Sequence, residues 1–237
     1  MEETIDAIGR WPNATLYAYN WDTYEWVWTN PRPGEYDYLR YGRLLKEARE
    51  VWVPSECTRR RTRQWWDIDS KVVLSSCPWW HRWDTKDLGY VLCTLRQIPD
   101  RDWGLFEQAC QELSLPYKMT NHDVTYEEYQ DTVAHCRFLV SHLHEASTGG
   151  LTLLEGYCLG KPSLLSDSEW HGGRDYMGDR ATYFAAGNLN SLKTTLKLIY
   201  NNPPRIDREQ AKRWVMQQFS DERMVGDILR RIASCEA

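Results

Sequence analysis

Short apolar runs alternate with longer amphipathic stretches along most of this chain. Ala14–Tyr19, Val51–Val53, Lys71–Ser75, Tyr90–Thr94, Tyr117–Thr120, Arg137–Ser141, Ser163–Leu165 and Thr182–Phe184 are brief and rich in β-branched or aromatic residues. Pro, Gly, Asp or Ser bounds them, which predicts strands. Helical spacing predicts helices over Tyr36–Ala48, Glu56–Trp66, Trp103–Leu113, Tyr126–Ala134, Gly150–Leu159 and Ser191–Tyr200. Two more, near Asp207–Phe219 and Asp221–Ala233, close the sequence. Strand–helix alternation predicts parallel sheets joined by crossover helices, an α/β class.

The pattern changes character around Ser76-Cys77-Pro78-Trp79-Trp80-His81. Residues 85–205 hold enough strands and helices for a complete Rossmann-like domain, with 206–237 as helices packing back on the domains. Residues 1–84 offer only three strands, a reduced N-terminal α/β domain that leans on the second domain or on another chain. That front part is also unusually aromatic. Ten of the 13 tryptophans precede residue 84, which suggests a small core, or a homo-oligomer interface, filled with the largest side chains.

Charge and cysteine usage narrow the function classes. The chain has 237 residues, with 29 basic against 34 acidic and a net charge of −5, which argues against electrostatic coating of nucleic acid. Seven cysteines are scattered without zinc spacing and read as reduced, mostly buried thiols. The first residues lack signal-peptide character and no apolar run reaches membrane-span length, so a cytoplasmic protein without a membrane span is expected.

The densest chemical signal lies in residues 137–162. An apolar strand ends at Ser141, a glycine-bearing polar loop follows, and a helix runs from about Gly150 to Gly160 before Pro162. In a doubly wound fold such a loop lies at the carboxyl ends of the strands, where ligands bind. Gly149 and Gly150 permit close backbone approach, and the N–H groups of Gly150, Leu151 and Thr152 suit a phosphate. Leu151, Leu154 and Cys158 are spaced to pack this helix on the sheet. Glu145 and Glu155 frame the loop. Carboxylates repel phosphate but accept from vicinal hydroxyls, so a sugar–diphosphate–nucleoside ligand fits; a solvated loop Glu145 and a surface Glu155 fit the same letters.

These residues resemble the signature of glycosyltransferase family 4, retaining enzymes of GT-B fold. The likeness rests on His144-Glu145, Gly150-Leu151-Thr152-Leu153-Leu154-Glu155, Gly160-Lys161-Pro162 and Ser166-Asp167, with Gly173–Phe184 downstream and Val51–Ser55 upstream. It implies a Rossmann-type C-terminal nucleotide-sugar domain and a reduced N-terminal acceptor-side domain. It assigns Glu155 to the ribose, Glu145 and His144 to the transferred sugar, and Gly149, Gly150, Leu151 and Thr152 to the diphosphate. Arg96 and Arg101 take the positions that neutralise the leaving diphosphate. The implied reaction moves a sugar from a nucleoside diphosphate, UDP or GDP, with retention of anomeric configuration and no required cofactor or metal. Two departures stand out: Glu145 and Glu155 are ten positions apart, a longer loop than the family's, and Thr94-Leu95 replaces its glycine and arginine. The family's His-Asp loop has its counterpart in Asn20-Trp21-Asp22, on the acceptor side, without the histidine.

The acceptor is open among glycan, lipid, protein and nucleic acid, the last as DNA-base glycosylation. Arg59-Arg60-Arg61 and Arg63 beside Trp65 and Trp66 could touch a polyanion, but a helix with wet arginines and core tryptophans explains them better. His142, His144 and Glu145 offer no third well-spaced metal ligand beyond one strand-end loop. The competing functional class is a catalytically incomplete nucleotide-sugar-binding subunit or regulator, motivated by the short front domain.

Overall fold

A computed structural model describes residues 17–19, 38–77, 84–93, 103–120, 124–141, 150–168 and 172–236. The chain divides into two compact units, Met1–Leu74 and Ser75–Ala237.

The described part of the first unit runs β1 (Tyr17–Tyr19), α1 (Tyr38–Glu47), β2 (Glu50–Val53), α2 (Glu56–Trp66) and β3 (Lys71–Val72). The strands form a parallel sheet in the order β1-β2-β3, with Ala18 opposite Val51 and Val53 opposite Val72. Ser55 caps α2 by accepting from the Thr58 N–H at 3.1 Å, and the helix ends on Asp67 in the left-handed region, φ 53°. Leu45, Val51, Trp66 and Ile68 make the core. A Cβ at Gly42 would stand 2.3 Å from Trp66 Cδ1, so only glycine lets α1 lie against this indole. Arg59, Arg60 and Arg63 are exposed, as the amphipathic reading of α2 expects. Arg61 departs from it: its side chain is buried, with the guanidinium 5.9 Å from the Trp65 ring centre.

The second unit continues with β4 (Val91–Cys93), α3 (Gly104–Glu112), β5 (Tyr117–Met119), α4 (Tyr126–His135), β6 (Phe138–Ser141) and α5 (Leu151–Cys158). β7 (Ser163–Asp167), α6 (Gly172–Met177), a 3-10 turn (Gly178–Arg180), β8 (Thr182–Ala185), α7 (Leu189–Asn201), α8 (Arg208–Phe219) and α9 (Asp221–Glu236) complete it. All five strands are parallel, in the order β5-β4-β6-β7-β8. The sequence pattern anticipates each strand; the helix α6 it does not, because Gly172-Gly173 carries little helical propensity.

Alternation along the strands sorts the core into two layers. Val91, Cys93, Phe138, Val140 and Leu164 face one side with Phe106, Ala109 and Cys110 of α3 and Leu192, Leu196 and Ile199 of α7. Leu92 and Leu139 face the other with Val133 and Ala134 of α4 and Leu159 at the end of α5. Helices therefore cover both faces, which is why the strands read as continuous apolar runs. A Cβ on Gly156 would come within 2.0 Å of Leu139 Cδ1, so α5 sits on β6 at glycine distance. Leu153 and Leu154 bury this helix fully; Leu151, expected to share that task, is only half-buried.

Lys161 secures the amino ends of the central strands. Its buried ammonium donates to the Cys136 carbonyl at 2.8 Å and the Thr85 carbonyl at 3.0 Å, and burial pushes its pKa down. The Gly160-Lys161-Pro162 turn is thus a structural lock at the end of the sheet opposite the start of α5.

Candidate functional site

Strand order reverses between β4 and β6, since the chain moves from β4 to β5 on one side and then to β6 on the other. In open α/β sheets the crevice at the carboxyl ends of such a pair is the binding position. The helix that follows β6 is α5, and its first turn holds three expected site residues: Gly150 as N-cap, with Leu151 and Thr152 after it. Its first N–H groups lack acceptors one turn earlier in the helix, as at every helix start.

Tyr176 occupies the space beside Gly150. A Cβ there would fall 2.4 Å from Tyr176 Cδ2, so the glycine admits this ring. The ring stacks on Phe219 at 5.6 Å and 24°, and its hydroxyl stands 3.4 Å from Ser75 Oγ. An aromatic pile continues through Trp214 to Tyr157, with Arg180 4.0 Å above the Trp214 ring. These contacts and the Cys77 N–H, which donates to the Phe219 carbonyl at 2.8 Å, fix the start of α5 against α6 and α8.

Glu155 lies one turn further along α5 and is 6% exposed. It is not the surface helix residue that its sequence context equally allowed. From α4, the Tyr129 hydroxyl reaches Glu155 Oε2 at 3.0 Å and Thr152 Oγ1 at 2.9 Å. The Tyr129 hydroxyl is the donor toward both oxygens, its single proton serving the Glu155 carboxyl group or Thr152 Oγ1 at any one time. Burial, first of all, and the Glu155 charge push the Tyr129 pKa up, which keeps it a donor. The same carboxylate acts on two buried thiols. Burial pushes Cys77 up with Glu155 adding, and Cys158 is pushed up to about 11 by burial, with Lys212 opposing and Glu155 adding.

Tyr126 stands one turn before Tyr129, 56% exposed, its ring 6.4 Å from the Tyr129 ring and tilted by 31°. At the carboxyl end of β7, Asp167 pairs with Arg174, whose guanidinium lies 4.6 Å from the Tyr183 ring centre. Among the described residues no group of three or more His, Cys, Asp or Glu is arranged to hold a metal.

The structure therefore brings Glu155, Thr152, Leu151 and Gly150 together at one strand-end position. Arg96, Arg101, His142, His144, Glu145 and Gly149 lie outside the described residues, as do Asn20, Trp21 and Asp22. Tyr129 and Tyr176 escaped the sequence reading. The only trace of Tyr129 was the Tyr126–Tyr129 spacing, which puts two aromatic rings on one helix face.

No protein-family model matches the sequence, and neither does any curated protein. Solved structures do match. Sucrose-phosphate synthase from Thermosynechococcus elongatus aligns with TM-score 0.66 at 13% identity, over 98% of this chain and 71% of that one. S. aureus TarM gives 0.62 at 12% identity, over 90% and 49%. Anabaena HepE, in complex with UDP and glucose, gives 0.59 at 12% identity, over 86% and 69%. The fold is that of the GT-B glycosyltransferases, with a Rossmann-like parallel sheet of five strands. The chain spans about half of TarM's length. Among the described residues no helix is long and apolar enough to cross a membrane.

Proposed function

We propose that this chain is a glycosyltransferase that moves a sugar from a nucleoside diphosphate, UDP or GDP, to an acceptor with retention of anomeric configuration. The observation that carries this reading is Glu155: a buried carboxylate on the second turn of the helix that follows the switch-point strand, oriented by a neighbouring hydroxyl. A carboxylate there suits the vicinal hydroxyls of a ribose, while the N-terminus of α5 suits the diphosphate. The exposed Tyr126 ring offers a face to a nucleobase.

Arg96 and Arg101, on the segment leaving β4, would neutralise the diphosphate as the glycosidic bond breaks. Glu145 and His144, on the segment leaving β6, would contact the transferred sugar; Gly149 would join the phosphate cradle. The acceptor attacks from the face the diphosphate leaves, and its proton passes to the departing phosphate. Cations and helix N–H groups supply the charge stabilisation that a metal supplies elsewhere. Residues 1–84 serve the acceptor, with Asn20, Trp21 and Asp22 at its side, and residues 85–205 serve the donor. Six buried thiols suit a reducing compartment such as the cytoplasm.

The test is Glu155→Ala. Losing a hydrogen bond to a charged group costs about 1.5–3 kcal/mol, so affinity for UDP or GDP should fall by about 10- to 100-fold with the circular dichroism spectrum retained. Unchanged affinity would move the donor elsewhere.

A further inference from the structure

The reading of Glu155 as a ribose contact leaves open what aims its carboxylate. Glu155 is nearly sealed from solvent, and a buried carboxylate swings toward whichever donor its surroundings supply. The structure places one such donor, the Tyr129 hydroxyl, on another helix. The Tyr129 hydroxyl stands between two acceptors of α5, Thr152 Oγ1 on the first turn at 2.9 Å and Glu155 Oε2 at 3.0 Å, and is the donor toward each. Thr152 and Glu155 are three residues apart on one helix face, about 4.5 Å along the axis at 1.5 Å per residue. The relay thus joins the phosphate end of the helix to its carboxylate through a side chain that belongs to neither turn.

A hydroxyl donor on one side of a carboxylate directs the group, which offers about four acceptor positions in all. Tyr129 is itself held. Its ring is half-buried on α4 and lies against Tyr126, and Thr125 caps the helix by accepting from the Glu128 N–H at 3.2 Å. The hydroxyl therefore approaches from a fixed point, and the carboxylate plane follows it.

We propose that Tyr129 is a positioning residue for nucleotide recognition: with Thr152, it orients Glu155 so that the carboxylate selects a ribose over a 2′-deoxyribose. This deepens the proposed function and rests on Glu155 contacting the ribose. A purely structural tie between α4 and α5 would use the same bonds but would not affect the choice of sugar.

The experiment uses the full chain and isothermal titration with UDP, GDP and their 2′-deoxy counterparts. Wild type, Tyr129→Phe, Thr152→Val, Glu155→Ala and the Tyr129→Phe/Glu155→Ala double variant are compared, each with its thermal melt. Wild type should prefer the better ribonucleotide over its deoxy form by about tenfold, the scale of one charge-assisted hydrogen bond. Tyr129→Phe keeps the ring and should bring that ratio below threefold; Thr152→Val should lower it less. Adding Tyr129→Phe to Glu155→Ala should change neither affinity nor ratio further. A Tyr129→Phe ratio equal to wild type, with Glu155→Ala having lost it, overturns the positioning role and leaves the donor reading standing. A ratio that survives Glu155→Ala, or the absence of binding to either nucleotide by the unmodified chain, overturns both. Should Tyr129→Phe melt early, Thr152→Val decides: a wild-type ratio there overturns the relay.

Discussion

The two sheets of this molecule solve the same packing problem with different materials. In the second unit the five-stranded sheet is covered on both faces, and its layers are built from many buried side chains that share the load. In the first unit, the described three-stranded sheet relies on a core cluster of Leu45, Val51, Trp66 and Ile68, with Trp52 buried beside Val51 and Val53. Arg61 is also brought inside and laid near Trp65. A small sheet has less surface to bury, so each large residue matters more. The tryptophan-rich front of the sequence finds a physical reason in Trp52 and Trp66, for the part the structure describes.

The sharpest way to break this contrast is a matched pair of truncations. Trp66→Ala and Phe138→Ala should each cost about 3–5 kcal/mol. In the first unit that loss removes the centre of a small cluster, so the amides of β2 and β3 should lose their hydrogen-exchange protection. In the second unit the remaining layers should keep β4, β6 and β7 protected. Equal loss of protection in both sheets would contradict the contrast.

A smaller effect separates the two glycine contacts. Gly42→Ala drives a methyl into the rigid indole of Trp66, whereas Gly156→Ala meets the end of the Leu139 side chain, which can turn. Overpacking costs about 1–3 kcal/mol, and Gly42→Ala should lie at the upper end with Gly156→Ala below it, read from urea midpoints. The reverse order would mean that the first unit is the more yielding.

The smallest effect belongs to the helix that carries Tyr129. Thr125→Ala removes a capping-box partner and should cost about 1 kcal/mol at neutral pH. The Thr125 N–H and hydroxyl hold Glu128 below the usual glutamate range. A carboxylate depressed in the folded state stabilises above its unfolded pKa and loses that contribution as pH falls through its folded value. The gap between wild type and Thr125→Ala should therefore narrow on acidification; a gap that widens would contradict the capping box.

Much of the fold could be read from local pattern, because every strand of the larger sheet is a short apolar run between turn residues. Helix α6 could not, since its formation around Gly172-Gly173 depends on Tyr176 packing against Gly150 and Phe219. The candidate site was legible where it is local: a glycine, a helix start and a glutamate at a fixed offset. The burial of Glu155 was not, because its donor arrives from 26 residues earlier on another helix. Arg61 shows the same limit. Helical phase puts it among wet arginines, and tertiary packing draws it inward.

The most direct measurement of the proposed activity is incubation of the full chain, and of Glu155→Ala, with a panel of UDP- and GDP-sugars. Glycan, lipid, protein and DNA acceptors would be included, with mass spectrometry for free nucleoside diphosphate and glycosylated product. At least one donor should be consumed with matching product, and Glu155→Ala should lose most of that turnover at limiting donor. Tight binding of a nucleotide sugar without turnover on any acceptor would instead make the chain a binding subunit and contradict the glycosyltransferase.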